Sequence, residues 1–415
     1  MEDPVSLSRL GAKPPIFRIN LSLPPAERYV GIATLYRDRM RALRGMFDDL
    51  ITSISPIIPV KYVHKIAWLC LRRLHTIEET QELRGISRAT DIDMYLLICL
   101  NTVLDLLMGC TSGGVRVKSK SSQTRMMHFR TLDWGMDPLR DLIVQLEFVR
   151  DSDPENVLAT SITYVGFVGV LTGVRKNMSA SLNFRPVHDT TRNFAFYANH
   201  FFVLLGLRQS ISSLVRQCIL PPETEEEQNY RFSTLADIVA SVPHMATTAA
   251  YLIFSDGSET VTMEKDHRTA VVRSSSSFIV TTNHDQGSDS APPEAIVDSK
   301  RQNHIGLTLI SSDAQAITDL IEDSNERRDC MEGRWRREVR EQNEHANQIA
   351  TVRDHRSLAG SNIAITKKQV VEWLTTFPVL NETTHYATIM DPSLGKLAWV
   401  RQYDTSEWEI DDLLF

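Results

Sequence analysis

The spacing of apolar residues changes character near position 110. From about Ile32 to Met108 they recur three and four apart, as at Met40, Leu43, Met46, Phe47 and Leu50, the spacing that lays one apolar stripe along an α-helix. Pro56 and Pro59 separate one helix from the next, and an acidic cap at Asp93 opens another that runs through Leu107. The first hundred residues are therefore expected to be mainly helical. Beyond Cys110 the runs become short, alternating and β-branched, as in Leu142 to Arg150, Leu158 to Thr163 and Ser179 to Phe184. Tyr251 to Phe254 and Thr260 to Glu264 flank Ser255-Asp256-Gly257-Ser258, a hairpin signal. Helical spacing returns at Phe201 to Ile219, at Thr234 to Val242 with Ser233 as cap, and after Thr366, which caps Lys367 to Thr375. From Asp319 to about Ser361 apolar residues are sparse among Glu, Arg, Asp and Asn; this reads as a bland surface insertion, either a solvated helix or a disordered loop, in preference to a regulatory or partner-binding segment. Periodicity alone supports a mixed α and β chain.

Composition narrows the function classes. The 415 residues carry a formal charge of −7, with 42% hydrophobic and 23% charged residues, which fits an ordinary soluble protein and gives a nucleic-acid partner little support. Five widely spaced cysteines (Cys70, Cys99, Cys110, Cys218, Cys330) form no CxxC pair and no Cys/His group at metal-ligand spacing. No metal, cofactor or disulfide framework is expected. The most apolar run, Tyr95 to Met108, is broken by Asn101 and Asp105 and falls short of the roughly 20 residues needed to span a bilayer. Met1-Glu2-Asp3-Pro4 shows no secretory signal, so the sequence alone suggests a cytoplasmic location; Asn20, Asn177 and Asn381 head glycosylation tripeptides that matter only in a secretory compartment.

The chemistry concentrates at Cys110. It follows Gly109, opens Cys110-Thr111-Ser112-Gly113-Gly114, and precedes Arg130 and Asp133 by about one hairpin. A cysteine so placed reads as a nucleophile that becomes a new N-terminus: once the Gly109–Cys110 bond is cut, the freed α-amine can serve the thiol as general base. Gly109 has no side chain to obstruct attack on its carbonyl. The amine has a reference pKa of about 7.7 to 8.0 and the thiol about 8.5, so a neighbouring cation and carboxylate are needed to bias the pair. Arg130 and Asp133 meet that need, although on local sequence alone a surface ion pair is the commoner reading. His128, His188 and His284 could each suggest a Cys–His dyad, but with the amine as base none is required.

Five ordered blocks carry a resemblance: Ile19 to Tyr29 (INLSLPPAERY), Gly85 to Ile92 (GISRATDI), Tyr164 to Gly173 (YVGFVGVLTG), Thr281 to Asp285 (TTNHD) and Pro378 to Asn381 (PVLN). With the Cys110 motif, they make the chain resemble the acid ceramidase and N-acylethanolamine acid amidase family, N-terminal nucleophile hydrolases that cut themselves before a cysteine and then hydrolyse fatty-acid amides. A fungal-type member is the expectation. The resemblance implies an αββα sandwich with a helical N-terminal segment. Residues 1–109 would form an α-chain and 110–415 a catalytic β-chain carrying a charged insertion at about 319–361, the two staying associated after self-cleavage. It implies Cys110 as nucleophile, Arg130 and Asp133 as its charged partners, Asn283 as oxyanion donor and Arg301 as a late arginine. Asn183 would face the nucleophile, and Phe184 stands where acid ceramidases carry a glutamate. Trp134 and Phe184, with Met126, Met127 and Phe167, are available to line an acyl channel or to serve as ordinary core. The implied substrate is a lipid amide, ceramide or N-acylethanolamine, and the implied location the lysosome or vacuole. The helix around Tyr36 to Ile54 offers transient membrane-surface contact or simple packing. Two other readings remain open: a catalytically silent lipid-binding relative, and an amidase of the bile-salt or penicillin acylase type.

Overall fold

A computed structural model describes residues 11–54, 59–103, 109–118, 123–186, 193–220, 232–286, 314–350 and 363–404. Thirteen strands, β1 (Ile16–Asn20), β2 (Gly109–Lys118), β3 (Thr124–Asp133), β4 (Ile143–Val149), β5 (Ala159–Tyr164), β6 (Thr172–Arg175), β7 (Met178–Phe184), β8 (Ala250–Ser255), β9 (Thr260–Lys265), β10 (Ala270–Ser275), β11 (Phe278–Thr281), β12 (Thr384–Asp391) and β13 (Lys396–Gln402), form two sheets among the described residues. One has eight strands in the order β1-β4-β5-β6-β7-β8-β9-β10, the other five in the order β11-β2-β3-β12-β13. The helices are α1 (Val30–Leu35), α2 (Arg37–Met40), α3 (Ala42–Ile54), α4 (Val60–Cys70), α5 (Ile77–Thr90), α6 (Met94–Val103), α7 (Asn193–Leu204), α8 (Ile211–Ile219), α9 (Leu235–Ser241), α10 (Ala314–Ala350) and α11 (Lys367–Leu374). The sheets pack face to face, with α8 against β6 and β7 on one side and α10 and α11 against β2, β11 and β3 on the other. This is the αββα sandwich.

Close approach of the sheets is written into the Cys110 motif. A Cβ placed on Gly114 would sit 1.9 Å from Thr260 Oγ1 of β9, in the other sheet, and 2.5 Å from its Cβ, and within the five-stranded sheet one on Gly113 would lie 2.1 Å from the Ile279 carbonyl oxygen of the neighbouring β11. Both positions need hydrogen where other residues carry a methyl. Gly114→Ala should therefore lower stability by about 1–3 kcal/mol, the usual cost of overpacking; a denaturant midpoint equal to wild type would contradict this. Across the same interface His128 of β3 reaches Ser179 (3.0 Å) and Ser181 (2.8 Å) of β7, and burial lowers its pKa to about 3, so it is a neutral structural bridge.

Four features differ from the pattern-based expectation. The mainly helical N-terminal segment also holds a strand that the pattern did not show: β1 pairs in parallel with β4, Ile16 opposite Gln145 through Asn20 opposite Val149, extending the eight-stranded sheet. Five residues framed by Pro14-Pro15 and Pro24-Pro25 are too few for a period to stand out. The run Phe201 to Ile219 forms α7 and α8 rather than one helix, because Gly206 takes φ +66° against the Arg73 backbone and Ser210 caps α8 by accepting from Ser213 N–H. The cap of α9 is Thr234, in a capping box with Asp237, in place of Ser233. Most of the charged stretch is α10, and it is no bland surface element: Ile321, Ser324, Arg327 and Met331 are buried along one face. Its inward stripe includes a serine and an arginine, which a hydrophobic pattern does not register. Residues 351–362 lie outside the described residues.

The Tyr36 to Ile54 helix is used for packing, with Tyr36, Met40, Leu43, Met46 and Ile51 buried. Thr366 caps α11 as expected, in a capping box with Gln369. Among the described residues no helix is long and apolar enough to cross a membrane, and no group of three or more His, Cys, Asp or Glu could hold a metal.

Candidate active site

Strand β2 starts at Gly109 and lies between β11 and β3, with Gly109 opposite Asp133, Cys110 opposite Leu132 and Ser112 opposite Arg130. Alternation along β2 sorts the site onto two faces. Toward the eight-stranded sheet, Arg130 Nη2–H donates to Cys110 Sγ (3.3 Å) and Nη1–H to the Leu171 carbonyl (2.7 Å), while Ser112 Oγ–H donates to Asn183 Oδ1 of β7 (2.7 Å). Toward α10, Arg327 donates to Thr111 Oγ1 (3.0 Å) and Asp133 Oδ2 (3.3 Å). Thr384 Oγ1–H holds the other Asp133 oxygen at 2.8 Å.

Asn283 joins the two faces. Its Oδ1 accepts from the Cys110 N–H (2.8 Å) and from Arg327 Nη2 (3.2 Å), and its Nδ2 donates to the Phe184 carbonyl (2.8 Å). The orientation follows from chemistry, since the Cys110 N–H and the guanidinium can only donate. In the uncut chain the amide therefore turns its oxygen toward Cys110, the opposite of the donor orientation that an oxyanion role requires. Ser324 Oγ accepts from Asn283 N–H (2.7 Å) and contacts His284 Nδ1 (2.8 Å).

Cys110 is wholly buried. Burial pushes its thiol up, Arg130 and Arg327 pull it down, and Asp133 adds to the upward shift. Burial likewise raises Asp133 to about 6, against Arg327 and the Thr384 hydrogen bond, which favour its ionised form. Such a carboxyl changes charge on mild acidification.

Other expected residues fall as follows. Trp134 is buried edge-on to Tyr164, ring centroids 6.1 Å apart, and beside His385. Phe184 contributes its carbonyl to Asn283 and buries its ring. Met126, Met127 and Phe167 are buried. Arg301 and His188 lie outside the described residues. Arg327, which no sequence argument singled out, touches Asp133, Thr111 and Asn283 at once. Its one signal is the spacing Ile321, Ser324, Arg327, Met331, legible only once a buried polar stripe is admitted.

Comparison with known proteins gives the following. A family model described as the beta subunit of N-acylethanolamine-hydrolyzing acid amidase matches residues 12–75. That description letters as beta the stretch ahead of Cys110, the piece lettered α above. An uncharacterised protein of Acanthamoeba polyphaga mimivirus is 22% identical over 298 residues, 71% of this chain and 86% of that protein. The N-acylethanolamine-hydrolyzing acid amidase of Caenorhabditis elegans is 27% identical over 195 residues (44% of this chain, 51% of that one), and the acid ceramidase of Homo sapiens 27% over 191 residues (41% and 45%). The chain thus spans about half the length of these two enzymes. A solved structure of a Caenorhabditis elegans N-acylethanolamine-hydrolyzing acid amidase ortholog aligns over 70% of this chain and 95% of that one, with 20% identity and a TM-score of 0.41.

Proposed function

Since the chain belongs to the family of acid ceramidases and N-acylethanolamine-hydrolysing acid amidases, we propose that it is a self-processing cysteine amidohydrolase that converts ceramide- or N-acylethanolamine-type lipid amides to a fatty acid and an amine. The observation that carries this is the setting of Cys110: a glycine before it, Arg130 on its sulfur, and Asn283 on its nitrogen.

Maturation begins with attack of the Cys110 sulfur on the Gly109 carbonyl carbon. The sulfur–carbon bond forms, the carbon–nitrogen bond breaks, and the departing nitrogen takes a proton. Water then hydrolyses the thioester, leaving a Gly109 carboxylate, a free thiol and an α-amine on Cys110. Asp133, opposite Gly109 and neutral below its raised pKa, is placed to favour this step. Losing its charge removes one of the influences that raise the thiol pKa, and a neutral carboxyl can supply the proton that the leaving nitrogen needs. Cleavage of purified precursor should therefore accelerate as pH falls through about 6, and Asp133→Asn, neutral at every pH, should lose that inflection. Timed denaturing electrophoresis across a pH series reads both; an unchanged inflection in the variant would rule Asp133 out.

In the mature form the α-amine takes the thiol proton and the sulfur attacks the substrate amide. Arg130 favours the thiolate and, among the described residues, retains a buried Nε–H with no partner. Asn283 orients the amine through its oxygen, and its amide group must turn over if it is to donate to the oxyanion. The leaving amine departs protonated, and water releases the fatty acid from the thioester.

Several contacts support association of the two pieces after the cut. Besides β1 on β4, Arg216 of α8 clasps Glu82 of α5 with two bonds (2.5 and 2.8 Å), Ser213 donates to Glu79 (2.8 Å), and Asn101 of α6 bonds the backbone at Gly166 and Val168. The gap between α1, α5 and the strands, lined by Tyr29, Ile32, Ile86, Val144, Tyr164 and Phe167, is too narrow for a water molecule, so an acyl chain could enter this gap only after rearrangement. Helix α4 buries no residue and exposes Tyr62, Ile66, Trp68 and Leu69 beside Lys61 and Lys65, a surface suited to the aggregates in which such amides reside. The deciding experiment is product analysis by mass spectrometry with ceramides and N-acylethanolamines: fatty acid released by cleaved protein supports the proposal, and cleaved protein that releases none from either class overturns it.

A further inference from the structure

We propose that Arg185 and Asp285 form a positioning pair that fixes the Asn283 amide against Cys110; the inference deepens the catalytic reading above and rests on it for its effect on turnover. Three consecutive residues at the end of β7 grip the segment after β11. Asn183 Nδ2 donates to the Thr281 and Thr282 carbonyls (3.2 and 3.4 Å), the Phe184 carbonyl accepts from Asn283 Nδ2 (2.8 Å), and Arg185 forms a two-pronged ion pair with Asp285, Nε to Oδ1 and Nη2 to Oδ2, both 2.8 Å. These residues stitch the eight-stranded sheet to the five-stranded one at the site itself.

The last stitch is built more heavily than a surface ion pair. The Arg185 side chain is 5% exposed, its third nitrogen meets Asp266 at 2.8 Å, and its guanidinium lies 5.7 Å from the centre of the Tyr251 ring. The Tyr251 hydroxyl donates to Asp285 Oδ1 at 2.8 Å. Asp285 lies two residues beyond Asn283, and the Phe184 carbonyl that holds the Asn283 amide immediately precedes Arg185, so the ion pair and the Asn283 contact share one short piece of backbone on each side. Neither charged group touches the sulfur. Their effect passes through Asn283 Oδ1, which holds the Cys110 nitrogen, and displacement of a reacting group by about 1 Å can cost on the order of a hundredfold in rate.

Arg185→Lys keeps the charge but loses the fork, and Asp285→Asn keeps the shape but loses the charge. Both are expected to lower kcat about 10- to 100-fold with KM within about threefold of wild type. Leu235→Ala, in α9, serves as a control for general destabilisation. A second readout needs no turnover: in uncut Cys110→Ala protein, hydrogen exchange at the position-110 amide, whose acceptor is Asn283 Oδ1, should accelerate on adding Arg185→Lys while exchange in β4 and β5 does not. Unchanged exchange at position 110 overturns the pair, and so does a kcat no lower than that of the Leu235→Ala control. Accelerated exchange in a protein that neither cleaves itself nor hydrolyses amides would instead support the pair and overturn the catalytic reading.

Discussion

Cys110→Ala is expected to remain one uncut chain and to lose lipid-amide hydrolysis by at least about 10⁴-fold, because one residue is proposed to supply nucleophile, base and cleavage site. The substitution removes only sulfur from a buried position between β11 and β3, and Ala fits a β2 strand that already carries Gly113 and Gly114, so the fold should persist. Intact-mass measurement and denaturing electrophoresis read cleavage, and product analysis reads turnover. Cys110→Ser is the informative companion. Its hydroxyl can attack Gly109 but ionises far less readily than a thiol, so cleavage should be slowed rather than abolished and turnover should fall further. A Cys110→Ala protein that still splits after Gly109 and still releases fatty acid would sink the mechanism. Wild-type protein that stays intact and inactive at acidic pH would favour the alternative of a catalytically silent lipid-binding relative.

What the sequence disclosed, and what it hid, follows from how each feature is encoded. Cys110, Arg130 and Asp133 lie on adjacent strands, so short-range spacing offered them together and the resemblance preferred a site over a surface ion pair, while the glycines after Cys110 turn out to mark a backbone packed too closely for side chains. The Tyr251–Glu264 hairpin and the Thr366 cap were legible because their signals are local. Strand β1 is also local, but its stability comes from pairing with β4 more than a hundred residues away, and five residues carry too little pattern to announce that. Asn283 and Cys110 lie 173 positions apart and meet through one hydrogen bond; only resemblance connected them, and resemblance assigned the amide a donor role while the uncut chain presents its oxygen. The α10 stretch was the hardest to read, because hydrophobic periodicity treats a buried arginine as a mark of solvent. An arginine turns inward where carboxylate, amide and hydroxyl oxygens await it, and those oxygens belong to Asp133, Asn283 and Thr111 on distant elements.

Arg327 is accordingly expected to show the largest effect of any residue outside the Cys110 motif. Arg327→Met keeps length and apolar stem but strands the Asp133 carboxylate and removes a donor from Asn283 Oδ1 and another from Thr111 Oγ1. Breaking a buried ion pair from one side costs about 3–5 kcal/mol, so a marked fall in the denaturant midpoint is expected, with kcat down about 100-fold or more among molecules that fold. The pH dependence should move in a defined direction. Arg327 favours the ionised form of Asp133, so without it the carboxyl holds its proton to higher pH, and the inflection in precursor cleavage should shift above its wild-type position near 6. Asp133→Asn combined with Arg327→Met leaves no stranded buried charge, since Asp323, the other partner of Arg327, is exposed, and should cost less stability than the two single losses added together, as a double-mutant cycle would register. Arg301→Met provides the contrast, since resemblance placed the late arginine there. Normal cleavage and turnover in Arg301→Met, with both impaired in Arg327→Met, would assign the role to α10; the reverse pattern would return it to Arg301 and make Arg327 a purely structural clamp between α10 and the start of β2.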